Sequence, residues 1–252
     1  CQGVVDLSLT PTIGRRWLLM SSRGDESLRF YNGLGDNYVA LTLHRKPYLE
    51  GVNTVLESLG IPANSNWLDI GSGDGERALA LRRRTNWRLS ISEPSKLLAD
   101  NFETENPEVV VIRKRAEEIP VPTEGYDVVT LLWNVLGHVD DAQYALCRIR
   151  PLLRPGGTLF LDVNNFLNAR HYGIFRYGHN FLRSRSGELT FPIPRNDEIG
   201  TGGANVRLFS RSGVLKLLQG CGFRAIQTSF VDYESGGITK RSSQGQIVVR
   251  AV

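Results

Sequence analysis

Asp69 closes a short apolar run and is followed by glycines at 71, 73 and 75, in the stretch Leu68-Asp-Ile-Gly-Ser-Gly-Asp-Gly75. Glycine reaches left-handed backbone conformations at little cost and lets a ligand come close to the chain. A dinucleotide fingerprint places its third glycine one position later, where this chain has Glu76, and no Gly-Lys-Ser/Thr end of a phosphate loop follows. An acid at the strand tip suits a ligand with a cationic amino group better than a polyphosphate. Glu93 stands 24 residues after Asp69, where a second acid can accept both hydroxyls of a ribose. In a doubly wound sheet both acids would converge at the carboxyl ends of neighbouring strands, where ligands bind.

Further candidates lie beyond this pair. His138, in Asn134-Val-Leu-Gly-His138, is placed to take a proton near neutral pH, or to hydrogen-bond its own loop and fix its shape. Tyr31 and Tyr38 lie in Phe30-Tyr-Asn-Gly-Leu-Gly-Asp-Asn-Tyr38, and either phenol could bind substrate or cofactor. The stretch His171-Tyr-Gly-Ile-Phe-Arg-Tyr-Gly-His179, with Arg183 and Arg185 after it, combines aromatics and cations around His171, Tyr172 and Arg176. That mixture suits an acidic or aromatic acceptor, and also stacked nucleotides. No third ligand lies near His171 and His179, and the strand ending in Trp133-Asn134 brings no acid to share an ion with Asp162, so no metal is expected.

The elements that must position these residues follow from periodicity. The pattern over 27–59 is helical, and Gly60 with Pro62 ends it. Strands are expected over 66–70, 87–92, 109–112, 126–133 and 158–163, with helices over 76–84, 95–103 and 141–153 between them. The last of these helices is expected to stop at Pro155-Gly-Gly157. Residues 164–208 break the rhythm and read as an insertion. A helix over 210–220 and strands over 223–233 and 246–252 close the chain, with Ser235-Gly-Gly237 as a turn. Alternating strands and helices imply an α/β fold, doubly wound, with a mostly parallel sheet. Arg82, Arg83 and Arg84 fall at a helix C-terminus, where the dipole favours cations.

The chain has 252 residues, 41% hydrophobic and 22% charged, a globular balance sufficient for one elaborated domain. Its net charge of +4 is mild, and places nucleic acid low among expected partners. Cys1, Cys147 and Cys221 are odd in number and form no CxxC pair, so neither zinc nor a disulfide framework is expected, and a reducing, cytoplasmic setting fits. Trp17-Leu-Leu-Met20 is too short for a signal core, and no run is long enough to span a membrane, so no membrane partner is expected.

Five ordered motifs resemble the class I, Rossmann-like methyltransferases that use S-adenosyl-L-methionine, of the small-molecule type. They are Asp69-Ile-Gly-Ser-Gly-Asp-Gly75, Ile91-Ser-Glu-Pro-Ser95, Arg115-Ala-Glu-Glu-Ile-Pro120, Tyr126-Asp-Val-Val-Thr-Leu-Leu-Trp133 and Leu153-Arg-Pro-Gly-Gly-Thr-Leu-Phe160. The resemblance implies a seven-stranded sheet, an N-terminal leader and helical cap over 1–60, a catalytic domain over 61–252, and an inserted lid at about 164–208 that selects the acceptor. It implies that Asp69 with Gly71, Gly73 and Gly75 holds the methionine end, that Glu93 binds the ribose, and that Ala116 and Glu117 meet the adenine edge. Asn134 and Val135 would line the methyl-donor cleft, Leu97 could pack on the adenine, and Arg45 could reach the donor's carboxylate. The expected reaction moves a methyl group to nitrogen or oxygen of a small molecule and leaves S-adenosyl-L-homocysteine. Methylation of RNA such as tRNA, and a non-enzymic module acting through a partner, are the alternatives.

Overall fold

A computed structural model describes residues 22–34, 45–183, 187–193 and 203–252. Cys1, the Trp17–Met20 run, Tyr38, Arg185 and Arg195 lie outside the described residues. Five strands, β1 (Asn66–Ile70), β2 (Arg88–Ser92), β3 (Val110–Ile112), β4 (Tyr126–Leu131) and β5 (Leu153–Val163), pair in parallel in the order β3-β2-β1-β4-β5. The order reverses at β1, so β1 and β4 diverge in connection and leave a crevice at their carboxyl ends. Beyond β5 lie the later strands β8 (Gln227–Val231), β9 (Ile238–Thr239) and β10 (Gln246–Ala251). β10 runs antiparallel between β5 and β8, and the two-residue β9 adds an eighth strand to the seven expected.

Alternation within the strands builds a core on each face. Leu68, Ile70, Val129 and Leu131 point to one layer, and Trp67, Val128 and Phe160 to the other. Helices α3 (Glu76–Thr85) and α4 (Lys96–Glu105) connect the first three strands, and α6 (Ala142–Ile149) leads into β5. α9 (Arg211–Gly220) starts at Ser210, whose hydroxyl accepts from the Gly213 N–H at 3.1 Å. The run Leu153-Arg-Pro-Gly-Gly157, expected as a stop before the strand, instead belongs to β5. The pairing moves from Tyr126–Leu153 to Val128–Thr158, so the extra residues are carried as an irregularity on one strand.

The helical stretch expected over 27–59 contains two helices, α1 (Arg23–Leu34) and α2 (Lys46–Glu57), with 35–44 outside the described residues. On α2, Tyr48, Val52 and Leu56 are buried against the second core layer, and Leu49 and Asn53 face the crevice. The insertion holds a four-residue helix, Ala169–Tyr172 (α7), a longer one, Ile174–Arg183 (α8), and an antiparallel hairpin of β6 (Glu188–Ile193) and β7 (Ala204–Phe209). Phe30 and Leu34 of α1 pack with Ala204 of β7, and Trp133 joins the same cluster. α1 and the β6–β7 hairpin of the insertion are therefore packed together.

One expectation is overturned. Cys147 on α6 and Cys221 after α9 form a disulfide, 74 residues apart in sequence. The two helices pack side by side, and their Cα atoms come to 4.8 Å, a proximity that spacing along the chain does not reveal.

Candidate active site

A cavity of about 480 Å³ opens where the strands end, bounded by the glycine loop, the β2 and β4 tips, α1 and α2. Asp69 is buried at its floor and accepts a hydrogen bond from the Thr130 hydroxyl. Thr130 in turn accepts from the Trp67 indole N–H at 2.8 Å. Burial raises the pKa of Asp69 against the pull of the Thr130 hydroxyl. Glu93 ends up across the loop, as its spacing required. Its Oε2 accepts from the Gly73 N–H at 2.8 Å and its Oε1 from the Ser95 N–H at 2.9 Å. Burial pushes its pKa up to about 7, partly offset by those two N–H donors.

The loop itself demands glycine at two tight places. Gly71 has φ +69°, and a Cβ there would stand 2.7 Å from Val135 Cγ2. Gly75, the residue before α3, has φ +76°, and a Cβ would meet the buried Phe102 ring at 2.1 Å. Gly71, Gly73, Glu93, Ala116, Glu117 and Val135 all line the cavity. Burial raises the Glu117 pKa.

Asn134 and Leu97 behave otherwise than expected. Asn134 does not line the cavity; it sits in a left-handed turn (φ +60°), and its Oδ1 accepts from the Asn164 N–H at 2.9 Å, joining the β4 and β5 ends. Leu97 is 51% exposed, because the Ser95 cap sets the phase of α4 so that Leu98 faces the cavity instead. Asp162, considered with metals, accepts from the Tyr48 hydroxyl and the Trp133 N–H, both at 2.6 Å.

The cap supplies Ser27, Leu28 and Tyr31 to the cavity wall. Ser27 and Tyr31 reach His138 on the short helix α5 (Val135–His138): Ser27 Oγ lies 2.9 Å from Nδ1 and the Tyr31 hydroxyl 3.2 Å from Nε2. Burial lowers the His138 pKa to about 4, so the imidazole is neutral at physiological pH. The cap is held further by Arg115 pairing with Asp25, and by the Gly24 N–H donating to Asp140 Oδ1 at 2.8 Å.

His171, Tyr172 and Arg176 do not line this cavity. His171 lies edge-on to Tyr172 and to Tyr233, each at 4.7 Å. Arg176 covers Phe191 at 4.9 Å. Arg45 lies over Tyr233 at 4.2 Å, away from the place expected of it. Tyr233 is hydrogen-bonded to the side chains of Trp133 and Arg45, so this aromatic group stands one residue behind the cavity wall.

Arg77 is the residue that sequence reasoning missed. Its Nε donates to Asn53 Oδ1 at 2.9 Å, but Nη1 and Nη2 are buried at the cavity wall without a partner among the described residues. A signal existed: a cation in the first turn of α3 opposes the helix dipole, so another role must hold it there.

These residues fit S-adenosylmethionine. The two unpartnered Arg77 nitrogens match a carboxylate, Asp69 matches an ammonium, and Glu93 matches ribose hydroxyls. A model of the methyltransferase domain family matches residues 43–228. The chain belongs to that family. The fold is that of the class I, S-adenosylmethionine-dependent methyltransferases, and three solved structures illustrate it. One, from Thermotoga maritima, is described as an S-adenosylmethionine-dependent methyltransferase and possible histamine N-methyltransferase; it is 18% identical, over 88% of this chain and 97% of its own, with a TM-score of 0.64. The Burkholderia thailandensis 1,6-didemethyltoxoflavin-N1-methyltransferase, bound to S-adenosylhomocysteine, is 16% identical over 92% of this chain and 90% of its own, with a TM-score of 0.64. The glycopeptide N-methyltransferase MtfA with sinefungin is 14% identical over 81% and 93%, with a TM-score of 0.59. No curated protein matches the chain by sequence.

Proposed function

We propose that this methyltransferase moves the methyl group of S-adenosylmethionine to nitrogen or oxygen of a small-molecule acceptor. The observation that carries this reading is the roof. Ser27, Leu28 and Tyr31 of α1 and Leu49 and Asn53 of α2 close over the cavity, leaving a site of small-molecule size. A base within a folded RNA would have to displace that roof.

When bound, S-adenosylmethionine supplies a sulfonium methyl already activated for transfer. The chain's task is to hold the donor, align the acceptor and exclude water. Glu93 accepts the ribose hydroxyls on lone pairs left over from Gly73 and Ser95. Asp69 faces the ammonium, and Arg77 gives two N–H groups to the carboxylate. Ala116 and Glu117 take the adenine end. Tyr31 and Trp133 wall the side from which an acceptor enters. His138 has both ring nitrogens engaged by the cap, so we assign it to holding Ser27 and Tyr31 in place.

The insertion selects the acceptor in this reading. None of the described residues of 164–208 lines the donor cavity, while His171, edge-on to Tyr172, borders Tyr233 behind Trp133. Incubating the protein with labelled S-adenosylmethionine and fractionated extract, then identifying the labelled product by mass, tests the proposal. Label in a low-mass compound supports it. Label confined to RNA overturns it, as does a failure of any fraction to accept label while the donor is bound.

A further inference from the structure

Helix α8 carries an apolar face that nothing in the described structure covers. Ile174 is 74% exposed, Phe175 93% and Leu182 78%. Phe175 and Leu182 are seven residues apart, so they share one row of the helix, and Ile174 stands on the adjoining row. Phe181, on the Ile174 row, is 61% exposed and stacks on Tyr177 at 6.4 Å between ring centres. The opposite side holds the helix to the protein, where Asn180 Nδ2 donates to the Phe166 carbonyl at 3.0 Å. None of these apolar side chains lines the donor cavity, so the site already described does not account for them.

The charge beside this face has one sign. Between Asn164 and Gly187 the sequence holds Arg170, Arg176, Arg183 and Arg185 with His171 and His179, and no Asp or Glu. Arg176 falls on the row next to Phe175 and Leu182. Arg170 is partly neutralised by Asp232 at 3.2 Å. A large aromatic and aliphatic face flanked by arginine, on a helix without a carboxylate, matches the interface of an anionic bilayer, where apolar side chains enter the acyl boundary and cations meet headgroups. A lone exposed leucine would need no explanation, but a contiguous stripe of this kind does.

We propose that α8 docks the enzyme on anionic lipid bilayers as a peripheral, in-plane anchor. The expectation of no membrane partner came from the lack of a spanning segment, and among the described residues no helix is long and apolar enough to cross a membrane. In-plane docking needs no such segment. The proposal is independent of the acceptor and of the donor-site assignments.

Flotation of the full chain with vesicles of phosphatidylcholine, alone or mixed with phosphatidylglycerol, is the test. The protein should float with the phosphatidylglycerol vesicles and much less with phosphatidylcholine, and raising the salt should release it. Phe175→Ser with Leu182→Ser should weaken partitioning about tenfold or more. S-adenosylhomocysteine binding, measured on the same samples, should stay unchanged and so establish that the variant is folded. Failure of the wild type to float with anionic vesicles overturns the proposal, as does equal flotation of the folded variant. So does concentration-dependent self-association that the same substitutions abolish without any lipid binding, because the face would then be an interface between two copies.

Discussion

At the scale of single residues, the donor site is defined by which buried groups still have bonding capacity. Glu93 has spent one lone pair on each oxygen in holding the loop, and its folded pKa of about 7 lies above the 4.5 of a free glutamate. Its contribution to stability is therefore complete below about pH 4.5 and is lost as pH rises through about 7. Ribose hydroxyls bind the charged form, so donor affinity moves the other way. S-adenosylhomocysteine should bind more tightly at pH 8 than at pH 6, and Glu93→Gln should bind weakly and without that dependence, as calorimetry at the two pH values will read. Arg77→Leu should cost the charge-assisted pair, about 1.5–3 kcal/mol of S-adenosylhomocysteine affinity, while leaving adenosine binding unchanged. Equal losses for both ligands would mean that Arg77 serves the fold and not the carboxylate. For His138, burial moves titration down to about 4, so the pH–rate profile should show no step near 6.5 from this group. His138→Asn should lower donor affinity by loosening α1 and keep the shape of that profile.

At the scale of elements, the strand-to-helix turn before α3 is the most constrained piece of backbone. Gly75 combines left-handed φ with the Phe102 ring packed where a side chain would go. Gly75→Ala should destabilise the fold by roughly 2–5 kcal/mol, the sum of left-handed strain and overpacking, measured by denaturant unfolding. The cap and the insertion cannot be separated so simply. Replacing 164–208 wholesale removes Phe166, which is fully buried, and Ala204, on which α1 rests. Deleting that whole span should therefore disturb donor binding through α1, although none of its described side chains lines the donor cavity. Substitutions at His171 and Tyr172, which leave the hairpin in place, are the cleaner test of acceptor choice. They should change acceptor KM and leave S-adenosylhomocysteine affinity intact.

At the scale of the whole molecule, the Cys147–Cys221 bridge ties the helix before β5 to the helix before β8, and so braces one face of the sheet. Reduction should lower stability by about 2–4 kcal/mol. The melting temperature should then fall by roughly 5–15 °C. Alkylation of the denatured, unreduced chain should label Cys1 and spare Cys147 and Cys221. Labelling of all three would show that the two thiols are free in the folded protein.

Local chemistry alone carried the sequence a long way: β1 came out at 66–70, the three glycines in the turn, and Glu93 opposite Asp69, because strand alternation, glycine conformation and the strand-end position of ligands are short-range rules. The five motifs likewise placed the family and its doubly wound, mostly parallel sheet. Other features were decided only by tertiary packing. The phase of α4 turns on one capping hydroxyl, which is why Leu98 and not Leu97 reaches the cavity. The role of Arg77 shows only where burial leaves two of its nitrogens without partners among the described residues. The pairings of His138 with Ser27 and Tyr31, more than 100 residues away, and of Cys147 with Cys221 depend on how separate helices settle on the sheet. Spacing along a chain states what a segment can form; which distant side chain it meets is fixed only when the layers pack.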